Sequence, residues 1–286
     1  MVKLCTLTAM ESREKTAFEQ ALDILLSGTT PRVWSFIVSI FGDLARNSDD
    51  ELSAHLINKM TALIGIKPEA TRVALHRLRK EEWITVRKSG RNSIYSLTAK
   101  GLLQSQAASQ RIYGSDVQSG DHWHLVLTEK ARAKGPWDNP ANGYLALTQN
   151  SFFAHGDAPK NCGDHFVISG EINAVPNWVK NRLLNAEKDR NLQILTQKFK
   201  ALESLIEQKN QLDPVQVATL RSLLVHCWRR AILRYPDVPD WFFPKGWAGT
   251  PCRGAFDKAL NKLRQPSLKT LDPCNNDRKA EPFKID

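Results

Sequence analysis

Arg72, His76 and Lys80 recur every four residues in the first third of the chain, with Arg77 on their flank. Lys88, Arg91 and Asn92 follow a short way on. Their chemistry is that of donors to anionic oxygens and base edges. An arginine fork matches a guanine edge or a phosphate, and lysine and asparagine hold phosphate oxygens.

To act together these side chains need a helix and a hairpin, and the stretch from Gly65 to Gly101 predicts both. Pro68 suits the first helical position, where its missing N–H costs nothing. Thr71, Ala74, Leu75 and Leu78 then share one face. Glu69, Arg72, Val73, His76 and Lys80 fall opposite, with Arg77 and Arg79 beside them. Trp83–Arg87 is strand-like in its β-branched and aromatic content, residues 88–92 form a turn, and Ile94–Leu97 returns as a second strand. Gly90 is expected to supply a positive φ at the hairpin tip. This order is that of a winged helix-turn-helix, whose helix enters the major groove of double-stranded DNA while the hairpin lies beside phosphates.

Charge agrees. Residues 65–101 hold nine Lys and Arg against three Glu, a surplus of six out of the chain's ten. A charge run alone would describe only a solvated helix beside a surface hairpin. The helix-to-strand order, the basic turn and the helices that precede it favour DNA. A pI near 9.4 also implies an anionic partner.

The run Arg72–Leu78, then Glu82-Trp-Ile84, Gly90-Arg91, Ser93, Tyr95, Leu97-Thr98 and Gly101 resembles the phenylacetic-acid catabolism repressors, the PaaX-like family. Ser39–Asp43 upstream is similar too, as are Leu224–His226, Arg229-Arg230, the spacing of Pro236, Pro239 and Pro244, and Gly246–Gly249 downstream. The likeness brackets roughly residues 31 to 260. It implies a ferredoxin-like middle domain related to the CRISPR Cas2 fold, and release from DNA by an acyl-CoA thioester, phenylacetyl-CoA being the namesake. A CoA site needs cations for phosphates and an apolar slot for the acyl group. Trp228, Arg229, Arg230 and Trp247 are the candidates, set against the plainer reading that the tryptophans are core and the arginines solvated or paired.

Taken in order, residues 1–30 form a polar arm and a leading helix carrying Phe18, Ala21, Leu22 and Leu25. The winged unit spans 31–115, with a second helix striped by Val33, Ile37, Ile40, Phe41 and Leu44. A third carries Leu52, Leu56, Met60, Leu63 and Ile64. A linker at 116–121 leads to a small α+β unit over 118–176. Its first strand, His122–Thr128, puts Trp123, Leu125 and Leu127 on one face. Gly135, Pro136 and Pro140 leave its first crossing helix short or missing. Residues 177–265 are helical, for effector binding or dimerisation. The stripe at Leu192, Leu195, Phe199, Leu202 and Ile206 suits either a dimer interface or the domain's own core. A disordered tail is expected over 266–286. The fold class is thus α+β and multidomain.

Other chemistries find little support. No apolar run is long enough to cross a bilayer, and the first residues lack the apolar stretch of a secretory signal. Five scattered cysteines without a C-x-x-C suggest reduced thiols in the cytoplasm. His122 with His124, and His155, Cys162 and His165, lack structural-zinc spacing. A Cas2-like nuclease would need an Asp at the end of the first middle strand. That strand is followed by Glu129 and preceded by Asp121, so no aspartate pair converges. No G-x-S-x-G, P-loop or dinucleotide fingerprint occurs, and no cofactor is expected. The reading is a homodimeric transcriptional repressor on a palindromic operator. The alternatives are an architectural nucleic-acid-binding protein without a small-molecule switch, and a metal-dependent nuclease.

Overall fold

The computed structural model describes residues 15–90, 92–114, 122–131, 135, 137, 143–158, 163–184, 186–208 and 212–272. The expected arm at 1–14, the linker at 116–121 and residues 273–286 lie outside these.

Four helices open the chain: α1 (Ala17–Leu26), α2 (Val33–Leu44), α3 (Ala54–Leu63) and α4 (Pro68–Lys80). Thr16 and Glu19 form a capping box at α1, and Ser53 caps α3 by accepting from Leu56 N. A hairpin follows, β2 (Ile84–Ser89) with β3 (Asn92–Leu97), then α5 (Ala99–Tyr113). Leu52 and Ser53, expected in the third helix, form instead a short strand, β1 (Leu52–Ser53), antiparallel to β3 with Leu52 opposite Tyr95. Two residues are too few for a period-2 signal, and Leu52 reads as the first apolar position of the helix it precedes.

A second sheet holds β4 (Trp123–Leu127), β5 (Leu145–Ala146), β6 (Ser151–His155) and β7 (Phe166–Gly170). All pairings are antiparallel in the order β5-β6-β4-β7. Among the described residues no α-helix lies between β4 and β5 or between β6 and β7. The face of β4 that carries Trp123, Leu125 and Leu127 is the less covered one along its length. His124 and Val126 are buried, whereas of Trp123, Leu125 and Leu127 only Trp123 is. Trp123 stacks on Phe153 with centroids 4.9 Å apart and meets Phe242 at 5.0 Å, docking the sheet on the segment after α8 (Pro214–Ile232).

The helical part comprises α6 (Asn177–Leu183), α7 (Ala186–Gln208), α8, α9 (Gly249–Lys262) and α10 (Leu268–Leu271). Asp213 opens α8 with a capping box, and Pro214 fills its first turn. Leu192, Phe199, Leu202 and Ile206 of α7 are buried within the chain, chiefly against α9, so that stripe belongs to its own core. Residues 268–272, expected within a disordered tail, are instead structured. Leu271 is buried in α10, and the Asp272 carboxylate accepts from Ser53 N at 3.0 Å.

The N-terminal helices and the C-terminal helices share one core. Buried side chains of α1–α4 and of α7–α9 belong to a single cluster, with α8 through its middle. Polar contacts cross the same seam. Arg221 donates to Asp43 at 2.9 Å, and the Tyr113 hydroxyl donates to Asp43 at the same distance. Ser39 Oγ lies 3.2 Å from His226 Nδ1, and Arg229 donates to Ser35 O at 3.3 Å. Charges buried this deeply need such partners.

Candidate nucleic-acid interface

α4 divides along its length. Thr71, Ala74, Leu75 and Leu78 are buried, and Thr71 Oγ1 donates to Thr61 Oγ1 at 2.9 Å, which ties α4 to α3. Glu69, Arg72, Val73, His76, Arg77, Arg79 and Lys80 are exposed. Val73, at the centre of that face, is 70% exposed. Of the four expected contact residues, Arg77 is engaged. It donates to the Glu81 carboxylate at 2.7 Å, and its guanidinium lies 5.1 Å from the centroid of the Trp34 ring. Arg72, His76 and Lys80 have no side-chain partner among the described residues. At the other end Lys67 gives α4 no side-chain cap, Pro68 has no N–H, and Ala70 N donates to Lys67 O at 3.0 Å, so of the first turn the Glu69 N–H is left for an outside acceptor.

The hairpin stands beside this helix. Its register pairs Ser89 with Asn92, both expected in a five-residue turn, so the strands run closer to the tip than expected. Gly90 has φ 58°, the positive value expected of it at the tip. Arg91 lies outside the described residues. Asn92 is exposed at the start of β3, and Lys88 Nζ donates to Ser93 Oγ at 3.0 Å. Arg87 differs from its neighbour: it grips Glu51 through two bonds of 2.7 and 2.6 Å, and this hydrogen bonding raises its pKa. Glu51 was not singled out in the sequence, because nothing local announces a partner so far along the chain.

The joint between α4, hairpin and α5 explains several of the quoted motif residues. Glu82 adopts φ 57°, and Thr98 Oγ1 donates to its carbonyl at 2.6 Å. Thr98 also caps α5 by accepting from Gly101 N. A Cβ on Gly101 would sit 2.1 Å from Trp83 O, so no side chain fits there.

The four residues expected to bind an effector do not converge. Trp228 is fully buried, its Nε1 donating to Ile112 O at 3.0 Å and its ring stacked on Phe256. Trp247 stacks on Phe243 in a separate aromatic group. Arg229 turns inward to Ser35 and Ser39, and burial followed by the charge of Arg230 lowers its pKa. Arg230 instead lines a cavity of about 400 Å³ between α1, α7 and α8. His226 lines the same cavity. Burial, then Arg229 and Arg230, push its imidazole down to about 3. Helical spacing gives the angular position of a side chain but not the element it meets, which is why adjacent arginines parted company.

The histidines of the second sheet are structural. His124 bonds to Gly156 O at 3.0 Å and to the Tyr144 hydroxyl at 2.8 Å. His155 packs on Trp123 and His165 on Trp137, while Cys162 and Asp121 lie outside the described residues. Among the described residues no three His, Cys, Asp or Glu side chains gather as a metal site would require. Nor is any helix there long and apolar enough to cross a membrane.

Residues 32–101 match the family model described as PaaX-like protein, and residues 185–272 match that of the PaaX-like protein C-terminal domain. The chain is 27% identical over 273 residues to Transcriptional repressor PaaX of Escherichia coli (strain K12), an alignment covering 85% of this chain and 82% of that one. Among solved structures, the uncharacterized protein Rv0674 from Mycobacterium tuberculosis aligns over 84% of this chain and 97% of its own, at 16% identity and a TM-score of 0.44. Matched by that family's models over residues 32–101 and 185–272, the chain belongs to the PaaX-like family of transcriptional regulators.

Proposed function

We propose that the protein is a repressor that binds a palindromic operator as a homodimer, reading double-stranded DNA with α4 and holding phosphates with the β2–β3 hairpin. The observation that carries this reading is the division of α4. Its apolar stripe is wholly used by the core, while Arg72, Val73, His76 and Lys80 remain exposed on the opposite face. In this reading α2, α3 and α4 with the hairpin form a winged helix-turn-helix. The uncapped start of α4 faces a phosphate, and Lys88, Arg91 and Asn92 flank the groove. The order β5-β6-β4-β7, with the first strand between the third and the fourth, is that of a ferredoxin-like sheet, here without described crossing helices.

Release belongs to an acyl-CoA thioester acting through the helical half. Support comes from the seam between α2 and α8, which ties the DNA-reading helices to the effector half through Asp43, Ser39, Arg221 and His226. A ligand shifts DNA affinity only if it prefers one arrangement of the two halves. Protection mapping of DNA around the protein's own gene tests the whole reading. Discrete, two-fold symmetric footprints that fade with acyl-CoA are expected. Uniform coating of all DNA alike would leave an architectural protein instead.

A further inference from the structure

The cavity between α1, α7 and α8 measures about 400 Å³, within the ordinary range for a small-molecule site. Its walls are of two kinds. Leu25, Leu26, Ile194, Leu195 and Ala231 are aliphatic, and among the described residues no Phe, Tyr or Trp lines it. Lys198, Arg230 and Arg234 stand among them, without a carboxylate. Lys198 is already committed, donating to Leu25 O and Ser27 O at 3.4 and 2.6 Å where α1 ends. Arg230 and Arg234 have no side-chain partner among the described residues. His226, 1% exposed, also lines the cavity, and its Nε2 is buried without a hydrogen-bond partner. Two cations and a buried nitrogen without protein partners, set beside an aliphatic wall, suit a ligand with an apolar body and an anionic end.

We propose that this cavity is the effector site and takes an amphiphilic anion, an aliphatic acyl chain bearing a carboxylate or a phosphate-rich thioester headgroup, with Arg230 and Arg234 on the anionic end. The proposal rests on the reading of the chain as an effector-controlled regulator, and it turns the ligand from aromatic to aliphatic. The route to DNA is short. The loop from Ser27 to Pro31 forms one wall and leads into α2, while His226 on the opposite side meets Ser39 of α2. α2 in turn packs against α4.

Calorimetry on the full chain tests it with octanoate, octanoyl-CoA, phenylacetate, phenylacetyl-CoA and CoA alone. The variants are Arg230→Glu and Ile194→Glu, the latter at a rim position 45% exposed. Their melting temperatures serve as the control for folding. An octanoyl compound should bind at least tenfold tighter than its phenylacetyl counterpart, and each folded variant should lose at least tenfold. Octanoate binding tighter than octanoyl-CoA identifies a free carboxylate as the anion, and the reverse order identifies the thioester headgroup. Equal or tighter binding of the phenylacetyl compounds overturns the aliphatic assignment. Binding untouched by both substitutions overturns the site, and so does the absence of any binding. Operator affinity measured alongside separates the two readings. A protein that binds its operator but none of these ligands loses this site and release by an acyl-CoA while keeping the DNA reading, whereas one that binds no operator loses the regulator reading as well.

Discussion

Val73 shows at the scale of one residue what the fold does not explain. A β-branched side chain 70% exposed at mid-helix gains nothing from packing and has poor helix propensity. On DNA it can cover a thymine methyl group. Val73→Ala should therefore keep or slightly raise the melting temperature while losing roughly 1–3 kcal/mol of discrimination at one base position. A binding series over all single-base operator variants would show the loss at that position only, and an unchanged profile would remove Val73 from the groove. Leu78, on the buried side, should behave oppositely: Leu78→Ala costs about 2–5 kcal/mol in urea denaturation. His226 carries a pH signature. Its folded pKa of about 3 lies below the ordinary 6.5, so the unfolded chain binds the proton first. Stability from this group is complete above about pH 6.5 and falls progressively towards pH 3. Denaturation midpoints from pH 7 to 4 should slope more steeply in the wild type than in His226→Leu. Parallel slopes would mean that the imidazole is not held neutral.

At the scale of elements, the hairpin and the α2–α8 seam make different demands. Arg87 and Lys88 are neighbours in β2, yet among the described residues Arg87 is bound to Glu51 and Lys88 only to a serine hydroxyl. Lys88→Ala should reduce the log–log salt slope of DNA binding by about one unit. Arg87→Ala should leave that slope nearly intact, and equal slopes for wild type and Lys88→Ala would take the hairpin off the phosphates. In the seam, Asp43 is wholly buried against Arg221. Removing one partner of such a pair costs about 3–5 kcal/mol, so Asp43→Ala should unfold the N-terminal and C-terminal halves together in a chemical denaturation. Separate transitions by fluorescence and circular dichroism would contradict a shared core. The helices were legible in the sequence because α2, α4, α7 and α8 each carry an apolar stripe at the helical period. The seam was not, since Asp43 and Arg221 are 178 residues apart and neither position betrays its partner.

At the scale of the molecule, the changes of texture along the chain gave no sign that its first and last thirds pack around one cluster. Gly65–Gly101 could be read almost residue by residue, because a local period and a local turn determine it. The helical half could be read as helices but not as a site. Trp228 and Trp247 look like an aromatic slot in sequence and are interior stacks in space, while Arg230 alone among the four reaches the cavity. Family membership rests on both ends of the chain, and their motifs meet across α2 and α8 in one structure.

The central claim is that the outer face of α4 reads sequence. Its most direct test is fluorescence anisotropy with operator and scrambled duplexes of equal length, for the wild type, Arg72→Ala and His76→Ala. The wild type should favour the operator. Both variants should bind the two duplexes alike and melt within about 0.5 kcal/mol of the wild type, as exposed positions do. Variants that keep the full operator preference would contradict the account, and sequence would then be read by some other face of the protein.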